Sequence, residues 1–240
     1  MPKTNRFEIL SFRSPLVTAH GLLDHERHEA TLVDGGLFPS KINRIRERLR
    51  ARGFAFSDVR AILLTHGHLD HTANLACLRK ETGAPLYAPE VDRFHIEGRY
   101  PYRGLSRICG ALESIGRLVL NYETPTIDEW FSPDDQLPFW GGLRVIGLPG
   151  HTLGHCGFLS ESQRLLVAGD LFSNFRGIPR LPPPWFNVDE AQIRESVRRA
   201  NKLIPDNGGV LMNHGHEATP ESHRAELRKL AERIQRDRAD

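Results

Sequence analysis

The chain has 240 residues, 39% of them hydrophobic and 26% charged, which are the proportions of a globular protein with a substantial core. Its formal net charge of +2 gives no electrostatic reason to expect nucleic acid or a membrane surface as a partner, so we expect neither. Residues 1–10 lack the apolar core of a signal peptide, and the three cysteines are too few for a disulfide framework. The sequence therefore predicts a cytoplasmic protein with a single domain over residues 1–240.

Predicted strands and helices alternate in the N-terminal part of the chain. After short strand-like runs, an apolar strand at residues 31–33 leads into the turn Asp34-Gly35-Gly36, and the apolar spacing over residues 40–52 predicts an amphipathic helix. The largely apolar strand at residues 61–65 is typical of a strand buried on both faces. A helix over residues 70–82, closed by Gly83, and a strand at residues 85–88 follow.

Residues 93–130 interrupt this alternation with a mixture of Tyr, Arg, Gly and Pro and a short helical stretch near residues 106–120. We interpret them as a lid or insertion; a surface connection without function is the alternative. The alternation then resumes, with predicted strands at residues 143–148, 157–159, 164–168 and 210–212, and helices at residues 189–204 and 220–237. A Pro- and aromatic-rich loop occupies residues 172–188. The two parts suggest two similar layers that face each other.

A dense group of potential metal ligands follows the strand at residues 61–65. His66 and His68 are two residues apart, so their side chains point the same way on an extended backbone, and Asp70 and His71 follow at the turn into a helix. Such a group can serve two adjacent metal positions, and imidazole and carboxylate suit zinc as well as iron or manganese. The alternative is a polar loop whose histidines only form hydrogen bonds. For a single histidine we would favour that alternative.

Three further polar groups each follow a predicted strand. His151 is the ligand candidate of the first, with His155 as a supporting or surface residue. Asp170 is the second, because the two oxygens of a carboxylate can bridge two cations, although an isolated Asp at this position would more often be a turn or cap residue. His214 is the third, with His216 as the alternative.

This order of strand, ligand and turn resembles the metallo-β-lactamase superfamily, from Asp34-Gly35-Gly36 to His214. The resemblance implies an α/β fold in the form of a four-layer αβ/βα sandwich with the metals at one edge of its sheets. It implies two zinc ions per chain, with iron or manganese as alternatives, and Asp34 as a residue that supports a ligand loop. The implied ligands are His66, His68 and His151 for the first metal, Asp70, His71 and His214 for the second, and Asp170 between them.

The function that the resemblance implies is hydrolysis of a small-molecule ester, thioester or lactone by metal-activated water, with Asp70 orienting the nucleophile or relaying a proton. The alternatives are a phosphoester or sulfate-ester hydrolase with the same site, a mononuclear iron oxygenase similar to persulfide dioxygenases, and a scaffold without catalysis. The complete ligand set argues against the last of these.

The chain departs from the patterns of several branches of the superfamily, which limits the branches to which it can be assigned. Dedicated β-lactamases of the superfamily usually lack the bridging aspartate, which Asp170 supplies here, and usually carry a secretion signal. Glyoxalase II has a longer C-terminal helical region, whereas 26 residues follow His214 in this chain. Lactonases have a tyrosine where Ser173 stands, and the Gly-Cys-Gly-Arg segment of persulfide dioxygenases is absent.

Aromatic side chains of the lid and of the 172–188 loop are candidates for a wall of the substrate pocket. Their alternative role is to pack loops or to form a subunit interface. In the second case the protein would be a homodimer. Arg176 and Arg180 could contact an anionic substrate group, although arginines on loops are more often simply solvated. The aromatic candidates are Phe94, Tyr100, Tyr102, Phe175, Trp185 and Phe186.

Overall fold

Two mixed sheets face each other in the computed structural model, which describes residues 6–38, 40–175 and 177–237. The strands of the first sheet, in their spatial order, are β1 (Phe7–Arg13), β2 (Thr18–Asp24), β3 (Glu29–Val33), β4 (Val59–Leu63), β5 (Leu86–Pro89) and β6 (Glu129–Phe131). The second sheet contains β7 (Gln136–Leu137), β8 (Leu143–Gly147), β9 (Cys156–Ser160) and β10 (Leu165–Val167). A small third sheet contains β11 (Ser173–Phe175), β12 (Ile178–Arg180) and β14 (His214–Gly215), and β13 (Gly209–Leu211) belongs to the second sheet beside β10.

The helices lie on the outer faces of the two large sheets and over one of their ends. They are α1 (Ser40–Arg50), α2 (Leu69–Thr72), α3 (Leu75–Thr82), α4 (Arg93–Ile96), α5 (Arg107–Val119), α6 (Glu190–Leu203) and α7 (Pro220–Arg236). Within the described residues, no helix combines the length and the apolar character that crossing a bilayer requires.

The strand β4 shows why its sequence is apolar at successive positions. Ala61 and Leu63 point into the apolar cluster between the two sheets, where they meet Val145 and Phe158 of the second sheet. Ile62, between them in sequence, points to the opposite face. Because both faces are covered, each of these side chains is completely buried. Burial of this kind contributes about 1.5–3 kcal/mol for each large aliphatic side chain.

Amphipathic helices cover the outer faces. The apolar sides of α1 and α3 pack on the first sheet through residues that include Ile45 and Leu75. The apolar sides of α6 and α7 pack on the second sheet through residues that include Val197 and Leu230. The succession helix, sheet, sheet, helix confirms the predicted αβ/βα sandwich. The assignment of residues 1–240 to one domain stays a prediction.

Two predicted elements differ from the structure. The helix predicted over residues 70–82 is divided into α2 and α3 at Asn74, whose side-chain amide donates to the carbonyl oxygens of Gly35 and Gly36 at 2.9 and 3.1 Å. Asn74 thus satisfies the carbonyls of a distant turn, which a local pattern does not reveal. The segment at residues 172–188, predicted as a loop, contains the hairpin of β11 and β12, whose three-residue strands are too short to show an alternation.

The predicted lid contains α4, α5 and β6. Helix α5 contacts α2 and the turn at residues 184–186, so it lies beside the segment that carries the histidine-rich motif. The backbone N–H of Leu69 in α2 donates to Glu113 of α5 at 2.7 Å, and the Tyr102 hydroxyl donates to the same carboxylate at 2.7 Å. These bonds attach the inserted helix to the end of the sandwich where the predicted ligands lie.

Candidate metal centre

The histidine-rich motif, residues 66–71, begins in the segment after β4, whose last three residues are completely buried, and continues into α2. His66 and His68 are on the connecting segment, and His68 occupies the residue before α2 with an extended backbone (φ −68°, ψ 153°). Asp70 and His71 lie in α2 itself, as predicted. The three histidines are buried, whereas the carboxylate of Asp70 is partly exposed. The turn into the helix therefore directs neighbouring residues into the same enclosed space.

A first cluster contains His66, His68 and His151, whose ligand atoms all lie within 4.8 Å of one another. His68 Nδ1 and His151 Nε2 are 3.0 Å apart. Burial lowers the pKa of both His66 and His68 well below the usual value, and neighbouring histidines lower it further. Both rings are therefore neutral at physiological pH, which is the form in which imidazole binds a metal.

A second cluster contains Asp70, His71, Asp170 and His214. His214 Nε2 lies 2.9 Å from Asp170 Oδ2 and 3.3 Å from Asp70 Oδ2. His71 Nε2 lies 3.3 Å from Asp170 Oδ1. His214 reaches this position because β14 pairs in parallel with β11. Strand β11 begins three residues after Asp170 in the chain.

The carboxylate of Asp170 connects the two clusters. Besides its contacts with His71 and His214, its Oδ2 lies 3.4 Å from His151 Nε2 and 3.9 Å from His66 Nε2. Burial opposes ionisation of Asp170, but His214 and His71 outweigh it and hold the pKa of this carboxyl well below its usual range. Asp170 therefore presents a negative charge to ligand atoms of both clusters.

The polar atoms that point into this space fit a cation. His66 Nε2, His71 Nε2 and Asp170 Oδ1 are buried and have no hydrogen-bond partner within the part of the chain that the structure describes. Buried polar atoms normally have a partner, so several unpaired atoms that converge on one space require an explanation. Imidazole nitrogens and carboxylate oxygens are ligands that suit zinc, iron or manganese.

Comparison with known proteins agrees with this geometry. The family model described as the metallo-beta-lactamase superfamily matches residues 16–216. The chain belongs to the metallo-β-lactamase superfamily. Among curated relatives, the probable metallo-hydrolase YflN of Bacillus subtilis is 26% identical over 88% of this chain and 85% of its own length. The hydroxyacylglutathione hydrolase GloC of Haemophilus influenzae is 28% identical over 80% of this chain and 82% of its own length.

Solved structures of the superfamily share the fold. A metallo-β-lactamase family protein of Thermus thermophilus, TTHA1429, has a TM-score of 0.72 and 22% identity over 96% of this chain and 80% of its own. The B3 metallo-β-lactamase BLEG-1 has a TM-score of 0.68 and 20% identity over 93% of this chain and 99% of its own. The protein TTHA1623, solved in a di-iron-bound form, has a TM-score of 0.66 and 23% identity over 90% of this chain and 96% of its own.

In this member of the metallo-β-lactamase superfamily, Asp34 lies directly behind His71, where it was predicted to support a ligand loop. Its carboxylate accepts from His71 Nδ1 at 3.0 Å, from the backbone N–H of Thr65 at 2.8 Å and from Asn213 Nδ2 at 2.8 Å. Asp34 adopts a φ of 63°, in the left-handed region that Asp tolerates better than most side chains. It thereby fixes His71 and the segments that precede His66 and His214.

The alternative ligands lie outside both clusters. His155 Nδ1 donates to the Leu148 carbonyl at 2.8 Å, and its Nε2 accepts from the backbone N–H of Asp170 at 3.0 Å, so it supports Asp170. Burial lowers the pKa of His155 to about 4, in keeping with this neutral tautomer. A Cβ at Gly169 would lie 2.7 Å from His155 Nε2, so this contact requires glycine there. His216 Nδ1 bonds instead to the Asn174 carbonyl at 3.0 Å.

Two supporting residues were missed by sequence reasoning. Asn187 Oδ1 lies 3.0 Å from His151 Nδ1, on the side of the ring opposite the cluster. Asp92 is completely buried and accepts from the backbone N–H groups of Gly67 at 2.9 Å and Gly154 at 2.7 Å. Asn187 lies in the predicted loop at residues 172–188, and Asp92 comes four residues after the predicted strand at residues 85–88, so neither directly follows a predicted strand.

The predicted aromatic wall forms only in part. Phe175 and Phe186 line the cavity beside the clusters. Tyr102 instead bonds to Glu113, and Tyr100 stacks on His95 with ring centroids 3.7 Å apart. Phe94 and Trp185 are about half exposed. Arg180 is exposed on β12, and Arg176 lies outside the described residues.

Proposed function

We propose that this chain is a hydrolase in which two divalent ions, zinc in the first instance, activate water to cleave an ester, thioester or lactone bond of a small molecule. The position of Asp170 carries the proposal, because its carboxylate contacts ligand atoms of both clusters at 2.9–3.9 Å. A carboxylate so placed suits two cations held side by side. The hydroxyacylglutathione hydrolases among the relatives support thioester cleavage in particular.

The residues divide between holding and reacting roles. His66, His68 and His151 would hold the first ion, Asp70, His71 and His214 the second, and Asp170 both. Bound divalent ions lower the pKa of water towards neutrality and stabilise the negative charge that develops on a carbonyl oxygen.

Asp70 is the proposed catalytic residue. It belongs to the second cluster and also lines the cavity, with its carboxylate partly exposed. Its side chain can therefore reach both the ligand space and a bound substrate. We propose that it orients the attacking water and passes a proton to the leaving group.

Metal analysis of protein purified without added metal or chelator, combined with an activity panel, tests the proposal. The panel contains esters, thioesters, lactones, phosphoesters and sulfate esters. We expect about two zinc ions per chain and turnover of a carboxylic substrate that chelation abolishes. Turnover confined to phosphoesters or sulfate esters would refute the carboxylic substrate class and support a phosphoester or sulfate-ester hydrolase instead. About one iron per chain, no hydrolysis, and oxygen consumption with a persulfide would refute the hydrolase.

The remaining expectations are untested. The cytoplasmic location, the lack of nucleic-acid and membrane partners and the oligomeric state stay predictions.

A further inference from the structure

A cavity of about 490 Å³ opens beside the candidate metal centre. Asp70, Asp170 and His214 lie at its polar end. The rest of its wall is mainly apolar and includes Leu37, Phe38, Leu112, Leu120, Phe172 and Phe186. Its volume is in the range of sites that enclose small molecules.

The charges of this wall suit an uncharged ligand. Among the described lining residues there is no Lys or Arg. Glu113 lines the wall too, but its carboxylate accepts from the Leu69 backbone and the Tyr102 hydroxyl, so its hydrogen-bonding capacity is largely used within the protein. Among the described lining side chains, an anionic tail would lose its hydration without gaining a Lys or Arg partner, which is costly.

The apolar wall continues to the surface along α5. Leu112 lines the cavity and is also 53% exposed, so it lies at the rim. Ile108, Ile115 and Val119 extend an exposed apolar stripe beside it at the three- and four-residue spacing of one helix face. Contiguous exposed apolar side chains of this kind commonly mark binding grooves.

We propose that the substrate carries an apolar acyl chain, which lies in this cavity with its carbonyl group at Asp70 and Asp170. The assignment of the reacting bond rests on the proposed hydrolase function. The apolar wall would favour fatty acyl esters, thioesters or lactones over thioesters of charged peptides such as glutathione. In this respect the chain would differ from its hydroxyacylglutathione hydrolase relatives.

A series of p-nitrophenyl esters from acetate to decanoate tests the chain-length dependence with metal-loaded enzyme. Each fully buried methylene can raise kcat/KM by up to about fourfold, so we expect an increase of at least about tenfold from acetyl to octanoyl. A flat or falling profile with hydrolysis retained would refute the acyl-chain proposal and leave the hydrolase standing.

A matched pair of variants tests the location. Leu112→Glu places a carboxylate at the rim, whereas Leu118→Glu places one on the same helix at a residue that is 84% exposed, does not line the cavity and lies outside the apolar stripe. We expect Leu112→Glu to lower the octanoyl-to-acetyl ratio of kcat/KM by at least about fivefold and Leu118→Glu to change it by less than about twofold. Equal losses in both variants, or none in either, would refute the assignment to the cavity.

Calorimetric binding of acetate, hexanoate, octanoate and decanoate to the metal-loaded protein provides a readout that does not require turnover. We expect affinity to rise with chain length and to fall in Leu112→Glu. Affinity that is independent of chain length would refute the acyl-chain proposal whatever the reaction. Chain-length-dependent binding without hydrolysis of any ester, thioester or lactone would support the cavity and refute the hydrolase.

Discussion

Replacing Asp92 by asparagine should loosen the first cluster without altering any proposed ligand. One oxygen of Asp92 accepts from the Gly67 backbone and from the Thr152 hydroxyl, and the other accepts from the Gly154 backbone. Gly67 lies between His66 and His68, and Thr152 follows His151 in sequence. Asp92 therefore connects the two loops that carry all the histidines of this cluster.

The magnitude follows from the number of buried bonds. Asparagine keeps the shape of the side chain and one acceptor oxygen, but its amide group faces donors on the other side. One or two buried bonds to a charged acceptor are lost, each contributing about 1.5–3 kcal/mol, so we expect the free energy of unfolding to fall by about 1.5–6 kcal/mol. The misplaced His151 loop should also weaken metal binding by about tenfold or more.

The cost of Asp92→Asn should depend on pH. Burial opposes ionisation of Asp92, but His95, Thr152 and the Gly67 backbone outweigh it and hold its pKa below the ordinary value of 3.8. The carboxylate therefore contributes stability above that value, and this contribution is lost as the pH falls through the folded-state pKa. The difference between parent and variant should shrink accordingly below about pH 4.

Urea unfolding and competition with a chromogenic chelator measure these effects. Asp134→Asn is the matched control, because this side chain is 66% exposed and contacts Arg144 at 3.4 Å, a surface pair that contributes at most about 1 kcal/mol. If Asp92→Asn were no more destabilising than Asp134→Asn and bound metal as tightly as the parent, Asp92 would not hold the two loops together.

Three further changes probe the centre. Asp170→Asn should reduce the metal content to about one ion per chain or less and lower kcat by at least about 100-fold, and metal analysis that still finds two ions would contradict the shared role of this carboxylate. Asn187→Ala should weaken metal binding by about 10–100-fold in chelator competition, since the hydrogen bond to His151 is lost; unchanged affinity would make this contact dispensable. Burial raises the pKa of Glu113 above its usual value of 4.5, so its contribution to stability is present below that value and lost as the pH rises through the folded-state pKa. Glu113→Gln should therefore gain stability relative to the parent as the pH rises above 4.5 in urea unfolding, and a difference that is constant with pH would contradict this.

The features predicted well from the sequence are those that a local pattern specifies. The apolar strand at residues 61–65 requires cover on both faces, and the cluster that follows it must then lie at a sheet end. The same reasoning placed His151, Asp170 and His214 at that edge and preferred His214 to His216 because His214 directly follows its strand; the role of these residues as metal ligands stays a prediction.

The features missed depend on partners distant in the chain. Asn74 interrupts a helical pattern because its side chain donates hydrogen bonds to the carbonyl oxygens of Gly35 and Gly36, almost 40 residues away. Asn187 supports His151 across 36 residues, and Asp92 bonds to Gly154 across 62. Such contacts form only when the loops meet in the folded chain, so the hydrophobic periodicity of the sequence does not predict them.

The parallel pairing of β11 with β14 has a consequence for how substrate binding and metal binding affect each other. The strand that presents His214 is attached to the hairpin whose Phe175 forms part of the apolar wall. A ligand that restrains this hairpin would also restrain His214, and linkage requires the effect to be reciprocal. A lower metal occupancy would then weaken substrate affinity, and bound substrate would raise the affinity for the ion by the same factor.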